Sequence, residues 1–573
     1  MVEKMGAQGK KPAGERGQKR MKKKPDGNKG ERDSSRGEEG GKRKRLDAMT
    51  VGYFRRVSER LNEEFADNEE RGLFVENVLS EVKGQTRLVS TDMTGSLALQ
   101  KLLSLASPKQ VAGILAELAG ETGSDFKTVS CDKCGGHVIE SAIKQMAKWT
   151  EDSDTKSSSE NEHEDPELEC CVTLEDQVLT LGRVVRENLI DFIKDPYGSH
   201  VLRTLVHVLA GCSAQEQRDA RPAKKLKKAE PELTDFEAPT SFWWELKHLS
   251  ETLMEHVNVC ATNPTASVVL QTLLTVCHRK RPILGKKLNK GIMEYLTSLN
   301  SASGVSPLLV FLKDQSCSRL LQTVFQFSHK ALLRDTYINH LKNQLMPLAL
   351  HQFANYTIQS FIAASVKYKV FLKVFDELAP GFEAILAAGH MRVIVQLVES
   401  CVHREERQAD MLQHLLERPL SICYHGSCLV QALARFKDRS ILMNSLHSLS
   451  TAELLSLGTE QTGSHALQAL ITLSSDKGKG KILRKLEGLY TQLACSKYGS
   501  RLLEAVWSSA TINQRQSIAE QLVPSESQLR SDQFARHVWA KFGLTHFQKR
   551  RGAWMELQTG ESKKRKMFSD ILE

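Results

Sequence analysis

The 573-residue chain is poor in aromatic residues, 6% of its length, and holds only 15 prolines. Both shortages argue against a large β-sandwich or barrel assembly. No run of 18 or more apolar residues occurs, so no membrane-spanning helix is expected. The N-terminus is charged and Gly-rich without an apolar stretch, unlike a secretory signal. P-loop, GxSxG and HExxH patterns are all missing, so no catalytic residue is assigned. Twelve cysteines without a secretory signal indicate free, reduced thiols. Cys131-x-x-Cys134, with His137 beyond it, invites a zinc reading, but no second ligand pair follows at matched spacing. Thiols buried in a helical core account for these residues better, and neither metal nor cofactor is expected.

What is present is globular usage: 40% hydrophobic and 26% charged residues. This length ordinarily means three or four domains, unless short repeats build one long array. The formal charge is +10, and its location is informative. Residues 1–46 carry +9 and almost no bulky apolar side chain, so this segment cannot offset its ordering entropy and is expected to be disordered. Residues 541–573 carry +4, whereas the stretch 151–169 carries −8. Lys42-Arg43-Lys44-Arg45 and Lys563-Lys564-Arg565-Lys566 have the composition of nuclear import signals or RNA-binding arms.

Helical periodicity runs from about Tyr53 to Phe547, and within it one pattern recurs. A turn residue is followed by a small residue, a polar residue, and an apolar stretch ending in Gln, Glu or Arg. Clear copies are DMTGSLALQ from Asp92, DPYGSHVLR from Asp195, NPTASVVLQ from Asn263 and DQSCSRLLQ from Asp314. QFANYTIQ from Gln352, YHGSCLVQ from Tyr424, QTGSHALQ from Gln461 and KYGSRLLE from Lys497 follow, with weaker copies at Lys133, Gly389 and Asp532. From Gln322 onward the closing position advances by 37, 37, 35, 37, 36 and 36 residues. Earlier steps of 40, 63, 68 and 51 are the same unit enlarged by inserts near 150–170, 211–240 and 279–304, expected on loops. In the copy around Gly463, Thr451–Leu457 reads as a first helix, and a second helix starts at Thr462. Ser464 and Gln468 then share one face, with His465 at its edge. The expectation is an all-α solenoid of about eleven repeats over 47–547, strongly curved, between disordered basic tails at 1–46 and 548–573.

The copy HQFANYTIQSFI, with its Asn-Tyr-x-x-Gln spacing, resembles a pumilio (PUF) repeat, in which the second helix reads one RNA base. The series of eleven, the early inserts and the basic tails resemble the nucleolar protein 9 family of pumilio-like proteins. A base reader needs two side chains for the base edge and a planar group for its face. The resemblance assigns edge contacts to Ser96/Gln100, Gly136/Glu140, Ser199/Arg203, Ser267/Gln271 and Ser318/Gln322. It continues through Asn355/Gln359, Arg392/Gln396, Ser427/Gln431, Ser464/Gln468, Ser500/Glu504 and Arg536/Ala540. Stacking falls to Leu97, His137, His200, Val268, Arg319, Tyr356, Val393, Cys428, His465, Arg501 and His537, seven of which are His, Arg or Tyr. By the family's code Asn355/Gln359 favours uracil, Ser500/Glu504 guanine, and Ser with Gln adenine. Leu97, Val268, Val393 and Cys428 depart from that pattern, Gly136 and Ala540 lack an edge group, and Arg392 and Arg536 suit phosphates. Looser recognition of backbone and RNA shape is therefore expected beside base contacts.

The resemblance implies a non-enzymatic nucleolar protein that binds precursor ribosomal RNA in small-subunit (18S) maturation, among pre-ribosomal assembly factors, as a monomer and away from membranes. The alternative is an armadillo- or HEAT-like protein-binding scaffold or transport factor, whose groove has no reason to repeat this ladder. The ladder histidines are expected to stand without carboxylate partners.

Overall fold

The computed structural model describes residues 46–149, 173–214, 233–298, 306–416 and 424–560. The N-terminal basic tail up to Arg45, the acidic stretch 151–169, the Lys224–Lys228 cluster and the Lys563–Lys566 cluster lie outside these residues.

Except in the eighth, where residues 417–423 between Gln408–Leu416 and Tyr424–Leu433 lie outside the described residues, the repeats are built from an outer, a middle and an inner helix where the sequence reading found two. Around Gly463 they are Ser440–Ser448, Thr451–Thr459 and Gln461–Thr472. The helix foreseen at Thr451 is the middle one, and an outer helix of equal length precedes it. The same triplet recurs in the second repeat as Pro108–Ala119, Asp125–Ser130 and Gly135–Ile143. In the third it is Leu174–Glu187, Leu189–Lys194 and Pro196–Leu209.

The turn before each second helix is fixed by a capping side chain. Asp195 accepts the backbone N–H groups of Tyr197 and Gly198 at 2.8 and 2.7 Å. Asp92 and Asp314 do the same in their own repeats, occupying amides that a helix start leaves without partners. The small residue of the motif has a steric cause. At Gly95, Gly463 and Gly499 an added Cβ would lie 2.5 Å from the carbonyl oxygen of Val89, Leu457 and Leu493 respectively. The second helix thus presses directly on the end of the middle helix.

Successive second helices touch one another without a break, from Met93–Leu103 to Ala535–Lys541. They pack side by side more closely than the outer helices do, which makes them the inner layer of a curved stack. The helix Ala48–Arg60 packs against the first of them. Buried side chains form one core from Phe54 to Phe436 and a second from Ala434 to Trp554. The two meet beside a mainly apolar cavity of about 250 Å³ lined by Val430, Leu446, Leu467 and Leu470.

Three boundaries depart from the sequence reading. The insert expected over 279–304 is largely a helix, Pro282–Ser298, whose Leu288, Ile292 and Leu296 are buried; it is the outer helix of the fifth repeat. The insert at 211–240 is framed by a two-stranded antiparallel ribbon, Cys212–Ala214 with Leu233–Asp235, which no sequence alternation announced. The packed array also continues past 547. Residues 551–560 are helical and bury Trp554, which the surrounding basic residues concealed in a charge-based reading.

Candidate nucleic-acid interface

Outside the seventh and last repeats the inner helices share one exposure pattern: a small buried residue, a buried polar residue, a more exposed residue, a mostly buried apolar pair and a half-exposed polar one. This is the 3.6-residue periodicity of a helix wedged between two like neighbours. The first edge position is the buried one. Ser96, Ser199, Ser267, Ser318, Ser427, Ser464 and Ser500 are all between 1% and 7% exposed. Five of them donate to a carbonyl one turn back, as Ser199 does to Pro196 O at 2.9 Å. Ser267 and Ser427 instead reach the next repeat, donating to Ser316 O and Thr462 O at 3.2 and 2.6 Å. A hydroxyl so engaged retains acceptor capacity only. The second edge positions, Gln100, Glu140, Arg203, Gln271, Gln322, Gln359, Gln396, Gln431, Gln468 and Glu504, are half-exposed.

Several pairs are tied together. Gln271 and Gln431 donate from Nε2 to Oγ of Ser267 and Ser427, at 2.9 and 3.1 Å. Gln322 donates to the Ser318 carbonyl at 3.3 Å. The stacking positions His137, His200, Arg319, Tyr356, His465, Arg501 and His537 are exposed, Tyr356 to 55%. Leu97 is exposed as well, whereas Val393 is fully buried and cannot meet a ligand. In the seventh repeat Arg392 is held by Glu399 at 3.3 Å instead of being free for phosphate. In the last repeat both Arg536 and His537 are exposed.

One ladder histidine does have a carboxylate partner, against expectation. His137 Nδ1 lies 3.1 Å from Glu140 Oε2, one turn away. The other Glu140 oxygen accepts the Thr204 hydroxyl of the next repeat at 2.6 Å. Because that hydroxyl donates to the carboxylate and not to an imidazole, the trio lacks the nucleophile–base contact of a hydrolytic site. Burial, then the positive charge of Arg203, holds the His200 imidazole below its ordinary pKa. Cys131 and Cys134 are half-buried free thiols, and Cys212, Cys260, Cys277, Cys317 and Cys401 are buried.

Two ladder glutamines adjoin a depression that the sequence reading did not reach. It lies between the sixth and eighth repeats, holds about 420 Å³ and is lined by Gln396, Glu399, His403, Gln431 and Arg435. His403 and Arg435 lie seven and four residues beyond the two ladder glutamines, in the turns that follow helices Met391–Cys401 and Tyr424–Leu433, where helical spacing gave no signal for them. Lys541 was missed too; its ammonium pairs with Glu504 at 2.8 Å, linking the last two repeats.

A curved stack of three-helix units, with a polar and stacking ladder on its inner helices, is a pumilio-type α-solenoid. Residues 84–418 and 413–537 match the NOP9-like PUF repeat domain family. Nucleolar protein 9 of Homo sapiens is 34% identical, covering 92% of this chain and 91% of its own length. Pumilio homolog 23 of Arabidopsis thaliana is 23% identical, covering 90% of this chain and 73% of its own. The solved structure of APUM23-GGAAUUGACGG shares the fold, with a TM-score of 0.69 at 21% identity over 90% of this chain and 99% of that one. The chain belongs to the NOP9-like PUF repeat family and is a nucleolar protein.

Proposed function

We propose that the inner face binds precursor ribosomal RNA during maturation of the small-subunit rRNA, and that its chemistry is recognition and not catalysis. The observation that carries this is the exposed ladder itself: His, Arg or Tyr in seven repeats, each one turn from a half-exposed polar side chain or, in the last repeat, beside an exposed Arg536. Planar and cationic groups at repeat spacing match the stacking of successive bases and the neutralisation of phosphates. APUM23, which shares this fold, has been solved with GGAAUUGACGG. With most first-edge serines buried, base choice rests on the second edge residues, and Asn355 with Gln359 is the pair suited to uracil. The protein acts as a monomer among pre-ribosomal assembly factors, and its basic tails add electrostatic capture.

Crosslinking in cells followed by sequencing of the bound RNA tests the assignment. Enrichment of precursor rRNA over the small-subunit region is expected; enrichment of messenger RNA 3′ ends instead would refute it. A second experiment addresses the surface. Replacing Arg319, Tyr356 and Arg501 together with Ala should abolish measurable binding of single-stranded RNA at moderate salt with the helical signal intact.

A further inference from the structure

Away from the ladder, the outer helices Thr240–Glu255 and Pro282–Ser298 border a groove of about 420 Å³. Trp243, Lys247, Arg281, Ile283, Leu284 and Lys287 line it. Lys280, the last residue of the helix that carries Gln271, also reaches it, about 14 Å along the axis from that ladder residue. Ile283 is 85% exposed and Trp244, next to Trp243, is 52% exposed. Of the large apolar side chains here, Trp243, Ile283 and Leu284 line the groove itself, and apolar side chains gathered at one concave place mark an interaction surface more than scattered ones do.

The charge of the groove has one sign. No carboxylate lines it. Lys280 is engaged by Asp235 of the ribbon at 3.1 Å, whereas Lys247, Arg281 and Lys287 have no carboxylate partner among the described residues. Arg281 lies over the Trp243 ring at 4.7 Å and Lys247 over the Trp244 ring at 5.2 Å. Each cation occupies a ring face on which a nucleobase would otherwise stack. A peptide finds both of its requirements. An apolar side chain can enter beside Ile283, Leu284 and the Trp243 edge, and flanking carboxylates can reach the three unpaired cations.

We propose that this groove docks an acidic segment of a partner protein bearing one large apolar anchor, independently of RNA on the ladder. The test is fluorescence anisotropy of a labelled peptide of Glu and Asp with a central Leu-Phe pair, titrated with the full-length chain. Saturable binding is expected. The Lys247→Glu/Lys287→Glu variant should weaken it at least tenfold, and Ile283→Ser, at a fully solvated position, several-fold. The ladder substitution Tyr356→Ala should leave it unchanged. Absence of saturable binding, or equal binding of a peptide with Ser-Ser in place of Leu-Phe, overturns the proposal. So does a charge-reversed variant that loses oligo(U) affinity but keeps the peptide, which would make the groove an RNA surface. Binding that emerges only after the acids of 151–169 are replaced by their amides would assign the groove to the chain's own segment, and equally overturns it.

Discussion

Gln359 Nε2 donates a hydrogen bond to Asn355 Oδ1 at 3.1 Å, one turn apart on the inner helix of the sixth repeat. Asn355 in turn donates from Nδ2 to the carbonyls of His351 and Gln352, at 2.9 and 3.0 Å. The amide pair is therefore fixed before any ligand arrives, with Tyr356 beside it and exposed.

That arrangement separates affinity from base preference. Tyr356→Ala should cost about 1–3 kcal/mol of RNA binding, the worth of one base–aromatic stack, and Tyr356→Phe should restore most of it. Gln359→Ala should cost about 1 kcal/mol and flatten discrimination among oligonucleotides that differ at one base. Equilibrium titration of a matched oligonucleotide set reads both effects.

Glycine positions that look alike in sequence should respond oppositely. Gly499→Ala places a Cβ 2.5 Å from Leu493 O, so backbone must shift, at a cost of about 1–3 kcal/mol. Gly72, within the helix Asn68–Val82, has nothing within 4 Å of an added Cβ. Gly72→Ala should raise stability by about 0.4–1 kcal/mol by restricting the unfolded chain. Denaturant midpoints of the two variants should move in opposite directions.

His351 takes the capping position that Asp314 holds in the preceding repeat. Its Nδ1 accepts the N–H groups of Phe353 and Ala354 at 3.2 and 3.3 Å, a role the protonated ring cannot fill. Burial, then the charges of Lys313 and His390, holds its pKa below the ordinary 6.5. With the folded value depressed, the unfolded chain binds the proton more readily. The stabilisation is therefore present above 6.5 and is lost as pH falls below it. His200, His207, His340 and His447 shift in the same direction. His351→Asp should leave the fold intact at pH 7.5 and reduce the acid-induced drop in Tm, which a pH series of thermal melts measures.

The C-terminal end is held by aromatic packing. Trp507 stacks on Phe542 with centroids 3.8 Å apart, and Trp554 meets Trp507 edge-on while donating to Phe542 O at 2.9 Å. Trp554→Ala, or truncation after Phe547, should destabilise the second core by about 3–5 kcal/mol. Because that core is separate from the first, the loss should appear as an early unfolding step while the N-terminal repeats remain folded. Tryptophan fluorescence and far-UV circular dichroism should then give non-coincident transitions.

Much of the ladder was legible because repetition turns weak local signals into register. No single polar pair four residues apart is informative, yet eleven copies of the motif in order placed Tyr356 and Arg501 on the exposed face. Burial was not legible: Ser199 and Ser464 look like surface polar residues, and only the neighbouring helices show that they are covered. Val393, already a departure from the stacking pattern in sequence, is buried for a related reason. Its helix begins at Met391, after Gly389 at φ +76°, which alters the turn that would have exposed this position.

The sequence by itself determined the repeat, its period and the identity of the side chains on the inner helix, since these follow from helical spacing and capping chemistry along the chain. Only the tertiary structure decided which polar groups remain available, because availability depends on what the adjacent repeat covers. It also decided that the ionic partners of Arg392 and Glu504 lie within the protein, and that the core breaks in the eighth repeat. It joined Trp243, from one repeat, to Arg281 and Ile283 from the next element, forming a groove that no linear motif describes.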